Sequence, residues 1–113
     1  MKEMKEEYML CPIRRVLSEF CDKWSLLVLY SLYSSDNGVM RFTELHRFMS
    51  DCSQKMLSAT LKKLERHNLV ARKVYAVVPP KVEYSLTPNG ESLMPKVIGL
   101  VDWAQDHFDD VVA

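Results

Sequence analysis

Two short stretches of the chain carry side chains whose types and spacing suit chemistry with a ligand. The first is Cys11-Pro12 with Arg14 and Arg15 close behind, and the second covers residues 53–62. Pro12 suits the first position of a helix, which would place Cys11 at or near the N-cap. A thiolate there would be stabilised by the helix end and the two arginines. Cys11 is therefore a candidate sensor of oxidants or electrophiles; the alternative is a structural cysteine without a sensing role.

The second stretch has the pattern of a helix with one buried face. Leu57, Leu61 and Leu64 recur at helical spacing, and Ser53 is placed to cap a helix over residues 54–67. The other face carries side chains that can bond to DNA: Ser53, Gln54, Lys55, Ser58 and Lys62.

An amide can bond to adenine through two hydrogen bonds, so Gln54 is the first candidate for a base contact. Lys55 and Ser58 could reach bases or phosphates, and Lys62 is a candidate phosphate contact. For each lysine the alternative is a solvated side chain.

The elements around this helix form a helix-turn-helix. Thr43 can cap a brief helix over residues 44–49, which a short turn joins to the helix over residues 54–67. Cys52 and Leu57 have the spacing of a hydrophobic staple across the turn. The helix-turn-helix is expected over about residues 43–67, and Arg41 and Arg47 beside it are candidate phosphate contacts.

A β-hairpin is predicted directly after the helix-turn-helix. Residues 70–77 are rich in β-branched and aromatic types, and residues 82–86 alternate with period two. Pro79-Pro80-Lys81 lies between them, where a hairpin tip needs no N–H for the ladder. The pair therefore indicates the wing of a winged-helix domain, over about residues 70–86. Lys73 and Lys81 would place this wing along a minor groove.

Helices are also expected on either side of this unit. A one-faced helix is predicted over residues 12–20, a central buried helix capped by Asp22 over residues 23–34, and a long final helix over residues 88–112. About 24 residues span about 36 Å, longer than a compact core needs. The first and last helices are therefore expected to mediate dimerisation; the alternative is that the last helix folds back onto its own core. The whole chain, residues 1–113, is read as a single α+β domain, mainly α.

Charge is unevenly distributed along the chain. Lys plus Arg and Asp plus Glu number 15 each, so the net charge is zero. Nine bases and three acids nevertheless fall between residues 41 and 81, whereas residues 82–113 hold one base and six acids. A basic middle of net +6 favours double-stranded DNA as the partner; chance clustering of solvated charges is the alternative.

Other function classes find little support. No Ser/His/Asp set, paired carboxylates or glycine-rich phosphate loop is present, so no enzyme is expected. The three cysteines and three histidines lack zinc spacing, so neither a metal nor a cofactor is expected. The absence of a long apolar run or a signal sequence predicts a cytoplasmic protein without a membrane partner.

Along almost its whole length the chain resembles HxlR-type winged-helix transcriptional regulators, which are relatives of the MarR group. The residues that carry the resemblance are Cys11-Pro12, Lys23-Trp24, residues 41–45 (RFTEL), residues 53–58 (SQKMLS), Leu61, Leu64-Glu65, residues 78–90 (VPPKVEYSLTPNG), Leu93, Pro95 and Trp103.

The resemblance implies a homodimeric bacterial regulator that binds a palindromic operator. It also implies that an oxidant or small-molecule effector can act on it, since some members sense oxidants or electrophiles at the position of Cys11. The competing hypothesis is a winged helix used as a protein-interaction module without DNA binding.

Overall fold

The computed structural model describes the backbone of residues 6–111 and the side chains of residues 12–110. Within that range the elements are α1 (Glu6–Glu19), α2 (Lys23–Ser34), β1 (Val39–Met40), α3 (Phe42–Phe48), α4 (Gln54–Arg66), β2 (Val70–Tyr75), β3 (Lys81–Leu86), α5 (Pro88–Asp106) and α6 (Phe108–Val111). The strands form an antiparallel sheet in the order β1-β3-β2. The mainly helical α+β class and the winged helix-turn-helix architecture are confirmed.

The core is built on α2, as its apolar sequence predicts. Val28, Leu29 and Leu32 are fully buried in it. They cluster with the leucine stripe of α4 (Leu57, Leu61, Leu64) and with residues of α3, β2 and α5. Burial of this stripe fixes which face of α4 is left for solvent, because the opposite side chains cannot reach the core.

Local capping signals set most of the element boundaries. The Asp22 carboxylate accepts the N–H of Ser25, the Ser53 hydroxyl accepts that of Met56, and the Thr87 hydroxyl accepts that of Gly90. Each satisfies a helix N–H that has no partner inside its helix. After α4, Asn68 adopts a left-handed φ of 58°, the conformation expected where a helix ends.

The start of α5 is pressed against the turn that follows α4. Thr87 donates its hydroxyl to the carbonyl of Asn68 at 2.6 Å, and its N–H bonds the carbonyl of Leu69 at 3.1 Å. Gly90 lies so close to the Leu69 carbonyl oxygen that a Cβ there would overlap it. Glycine is therefore required at this contact.

The prediction that α1 begins at Pro12 is wrong, since α1 begins at Glu6 and contains Pro12 in its interior. Cys11 is accordingly inside the helix and is not its N-cap. Good helix formers, among them Glu6, Glu7 and Leu10, precede the proline. They extend the helix through Pro12, which removes one backbone N–H from the hydrogen-bond ladder.

Two further boundaries differ from the prediction. The N-cap of α3 is Arg41 and not Thr43, because the Glu44 carboxylate reaches back to accept the Arg41 N–H at 2.8 Å. The final helix is interrupted at His107, whose φ of −115° departs from helical geometry. There the His107 ring nitrogen Nδ1 lies 2.8 Å from the Trp103 carbonyl oxygen, which the His107 backbone N–H also reaches.

Candidate nucleic-acid interface

The solvent face of α4 presents the predicted polar residues together. Gln54, Lys55 and Lys62 are exposed, and Ser58 between them is half-buried. Residues 54, 58 and 62 follow the i, i+4 spacing and therefore lie along one line of the helix. Ser53 is exposed as well, but its hydroxyl oxygen already accepts the Met56 N–H at 3.0 Å. Ser53 therefore sets the helix start beside this surface.

The turn between α3 and α4 is held by a contact that the sequence patterns missed. The His46 ring nitrogen Nε2 lies 2.9 Å from the Cys52 carbonyl oxygen, across the turn. Cys52 is 1% exposed and packs in the core with Leu57, as the staple spacing predicts. Burial raises the pKa of the Cys52 thiol, so this thiol is kept protonated. A side chain bonding a carbonyl six residues away has no periodic signature, which is why His46 was missed.

The wing has two faces because successive strand residues point to opposite sides. One face carries Lys73, Tyr75, Lys81 and Glu83. The Lys81 ammonium lies 3.3 Å from the Glu83 carboxylate, and both lysines lie about 5 Å from the centre of the Tyr75 ring. A hydrogen bond from Tyr75 and the nearby Lys81 lower the pKa of Glu83. The two wing lysines predicted from sequence, Lys73 and Lys81, therefore lie in a cluster that also contains the negatively charged Glu83.

The other face of the wing turns toward α4. Arg72 pairs directly with Tyr84, and Val70 on the same face is buried in the core. Between this face and α4 lies a cleft of about 350 Å³, lined by Ser58, Leu61, Lys62, Glu65, Arg72 and Tyr84. Arg72 and Tyr84 were not among the predicted site residues. Alternation places Arg72 on the same face of the strand as Val70, but only the burial of Val70 in the structure shows that this face meets α4.

The far end of α4 is bound to the first two helices. Lys63 donates to the Asp22 carboxylate at 3.0 Å and to the Ser18 carbonyl at 3.4 Å. The His67 ring nitrogen Nε2 lies 3.0 Å from a Glu19 carboxylate oxygen. Lys63, although part of the basic middle of the chain, is therefore paired with an acid and points away from the predicted DNA face.

Arg41 and Arg47 are both exposed, at and within α3. The side chain of Cys11 lies outside the described residues, so its reactivity stays a prediction, now without the helix N-terminus expected beside it. Cys21 is half-buried. Its burial raises the pKa of the thiol, and the negative charge of the neighbouring Asp22 raises it further.

Over the described range no set of three His, Cys, Asp or Glu side chains is arranged to hold a metal ion, and no helix is long and apolar enough to cross a membrane.

Comparisons with known proteins agree with this geometry. The HxlR-like helix-turn-helix family model matches residues 19–111. The HTH-type transcriptional regulator YtfH of Escherichia coli is 42% identical over 103 residues, which are 91% of this chain and 79% of that protein. The HTH-type regulator YdeP of Bacillus subtilis is 38% identical over 101 residues, which are 89% of this chain and 77% of that protein.

Solved structures of similar sequence share the fold. The reduced form of the redox regulator HypR is 36% identical with a TM-score of 0.79, covering 88% of this chain and 96% of that chain. The reduced form of the transcriptional regulator YodB from B. subtilis is 31% identical with a TM-score of 0.71, covering 93% of this chain and 94% of that chain. These proteins are transcriptional regulators and not enzymes, which agrees with the expectation from sequence.

Proposed function

Because the chain belongs to the HxlR-like helix-turn-helix family of transcriptional regulators, we propose that it acts as a homodimer that binds a palindromic operator in double-stranded DNA. The observation that carries this proposal is the solvent face of α4, where an amide, a hydroxyl and two ammonium groups lie together opposite the buried leucines. A major groove admits a helix, and these groups can bond to base edges and phosphates.

Each α4 enters a major groove with its first turns, and a two-fold axis sets the two half-sites about one helical turn apart. Gln54 makes the base contact. Lys55 and Ser58 bind bases or phosphates, and Lys62, Arg41 and Arg47 bind phosphates. The hairpin formed by β2 and β3 lies along the neighbouring backbone.

Exposed apolar surface supports the dimer. Ile13, Val16 and Leu17 of α1 are exposed, Leu17 to 58%, and so are Leu100 and Trp103 of α5. An apolar groove of about 310 Å³ between α2 and α5 adds to this surface. Exposed apolar side chains on these helices are available to pack against a second chain. In the proposed dimer the two chains associate through these helices.

Sedimentation equilibrium tests the dimer. The wild-type chain should have twice the mass of the monomer, and Leu100→Lys should shift the equilibrium toward the monomer because it places a charge in the interface. Phe48→Lys is the matched control, since Phe48 is 76% exposed but lies on α3. A monomeric wild type, or equal effects of the two variants, would contradict the proposed interface.

Selection of bound fragments from the native genome, followed by gel shifts at two salt concentrations, tests DNA recognition. Gln54→Ala should reduce the discrimination against a wrong base by about 1–3 kcal/mol. Lys62→Ala, the control, should weaken binding to all sequences equally and lower the salt dependence. A wild type that binds no fragment at low salt would instead favour a protein-interaction module.

Regulation through the Cys11 thiol is part of the proposal, supported by the likeness to HypR, which is described as a redox regulator. Oxidation or alkylation of Cys11 in α1, one of the proposed dimer helices, would alter the half-site spacing and release DNA. The reaction rate of the wild type with iodoacetamide, compared with that of Cys11→Ser, measures this thiol. A rate for Cys11 no faster than that of a model thiol would remove the sensor from the proposal.

A further inference from the structure

The cleft between α4 and the wing joins two surfaces that contact DNA in the proposed function. Its two basic side chains, Lys62 from α4 and Arg72 from β2, come from elements on opposite walls. Ser58 and Tyr84 add a hydroxyl group from each wall. Among the described side chains, the ion pairs found do not include Arg72, which is exposed. Its guanidinium is therefore available to an anion from outside the chain.

The register of the hairpin explains why Arg72 and not Lys73 faces the cleft. Arg72 lies opposite Tyr84 and Lys73 lies opposite Glu83. Directly opposed residues share a face, and neighbours along a strand point to opposite faces. Lys73 therefore belongs with Lys81 and Glu83 on the face turned away from α4. An acid beside those lysines reduces the field that they offer to a phosphate.

A backbone phosphate of duplex DNA fits the position and chemistry of the cleft. When α4 lies in a major groove and the wing lies along the adjacent minor groove, the sugar–phosphate strand between the two grooves must pass between these elements. A guanidinium binds phosphate through two parallel N–H donors, and a hydroxyl can donate a third hydrogen bond. Glu65, which also lines the cleft, repels a phosphate and therefore weakens the attraction exerted by Lys62 and Arg72.

We propose that this cleft seats a backbone phosphate of the bound DNA between Lys62 and Arg72, with Ser58 and Tyr84 as hydroxyl donors. Arg72 is then the main backbone contact of the wing, ahead of Lys73 and Lys81. This inference rests on the proposed function, since it requires that α4 and the wing bind one duplex together.

The experiment measures binding of the full chain to a fluorescent mixed-sequence duplex of about 30 bp, long enough for two half-sites. Phosphate contacts are independent of sequence, so no operator is needed. Arg72→Ala should lower the affinity about tenfold and reduce the slope of log K against log salt by about 1 for each protomer bound. Arg72→Lys should keep the slope and lose part of the affinity, because the charge stays and the planar fork is lost.

Lys73→Ala is the matched control, since it removes the same charge from the next residue of the same strand. It should lower the affinity less than threefold, because it acts only through the general field. Equal losses for Arg72→Ala and Lys73→Ala, or a larger loss for Lys73→Ala or Lys81→Ala, would overturn the proposal.

Glu65→Gln is a test in which the expected change is a higher affinity for the duplex, which misfolding of the variant could not produce. Removal of this anion should raise the affinity for the duplex a few-fold in the wild-type chain and by less in Arg72→Ala, where the phosphate is no longer held beside it and only the general field acts. An unchanged or reduced affinity in the wild-type background would contradict the proposed seat.

Inorganic phosphate should displace the duplex from the wild type more strongly than chloride at matched ionic strength, and Arg72→Ala should lose this difference, because the same two parallel N–H donors bind either phosphate. Binding of inorganic phosphate through Arg72 without a loss of duplex affinity in Arg72→Ala would assign the cleft to a free anion and overturn the proposal. A wild type that does not bind the duplex at low salt would refute the proposed function itself, which separates the two failures.

Discussion

The two ends of α4 differ in what their polar side chains contact. At the first end, Gln54 and Lys55 extend into solvent. At the last end, Lys63 and His67 are bonded to Asp22 and Glu19, so the helix is joined there to α1 and α2. Basic residues counted along a sequence are therefore not equivalent: some offer charge to a ligand, and others hold the helix in position.

Removal of Asp22 should have the largest effect on the joined end. Its carboxylate caps α2, accepts the hydroxyl of fully buried Ser25 at 2.6 Å and pairs with Lys63. Burial tends to raise the pKa of Asp22, but hydrogen bonds from Ser25 and Lys63 outweigh it and lower this pKa. Asp22→Ala should lower the free energy of unfolding by about 2–3 kcal/mol, because the cap is lost and a buried hydroxyl loses its acceptor.

Denaturant titration measures that loss. Asp22→Asn is the control, since it keeps an acceptor oxygen and removes the charge, and it should cost about half as much. Equal stabilities of Asp22→Ala and the wild type would show that the last end of α4 is not fixed by this residue.

Lys62 and Lys63 are neighbouring lysines of α4 whose side chains have different surroundings, so they allow a direct comparison. Lys62 is exposed at the cleft, whereas Lys63 is bonded to Asp22. Lys63→Ala should lower the free energy of unfolding by about 1 kcal/mol, whereas Lys62→Ala should change it by less than about 0.5 kcal/mol. Duplex binding should show the reverse order, with the larger loss for Lys62→Ala. If the same variant had the larger loss in both unfolding free energy and duplex affinity, the proposed difference between the two ends of α4 would be wrong.

Substitution of Ser53, the N-cap of α4, tests how much the cap stabilises the first end of this helix. The Ser53 hydroxyl is the acceptor for the Met56 N–H, so Ser53→Ala should cost about 1 kcal/mol of unfolding free energy. Ser53→Asp should retain most of the stability, because a carboxylate also caps a helix and favours its N-terminus. Thermal unfolding of the three proteins decides this, and an unchanged midpoint for Ser53→Ala would contradict it.

The smallest expected effect is a pH dependence at the last end. A hydrogen bond from His67 lowers the pKa of Glu19, and the charges of His67, Arg66 and Lys63 add to it. A lowered folded-state pKa means that the ionised Glu19 stabilises the fold above the ordinary glutamate pKa of 4.5 and that this contribution is lost as pH falls through the lowered value. Unfolding measured over this range should be less pH-dependent for Glu19→Gln; identical slopes would contradict the prediction.

Local features of the sequence were predicted well because they depend on neighbouring residues. The Asp22 and Ser53 caps, the leucine stripe and the hairpin with prolines at its tip all follow from spacing within one element. The errors lay at boundaries where several local signals compete. Glu44 moved the cap of α3 to Arg41, and helix formers extended α1 past Pro12.

The sequence by itself determined the element types, the buried face of α4 and the basic middle of the chain, since helical and strand periodicity depend only on the order of residues. The tertiary structure alone decided which lysines and arginines are exposed to a ligand and which are paired with an acid. Lys63 meets an aspartate 41 positions earlier in the chain, and Arg72 faces α4 only because the sheet packs with Val70 inward. Alternation shows that a strand has two faces, but only packing against other elements decides what each face meets.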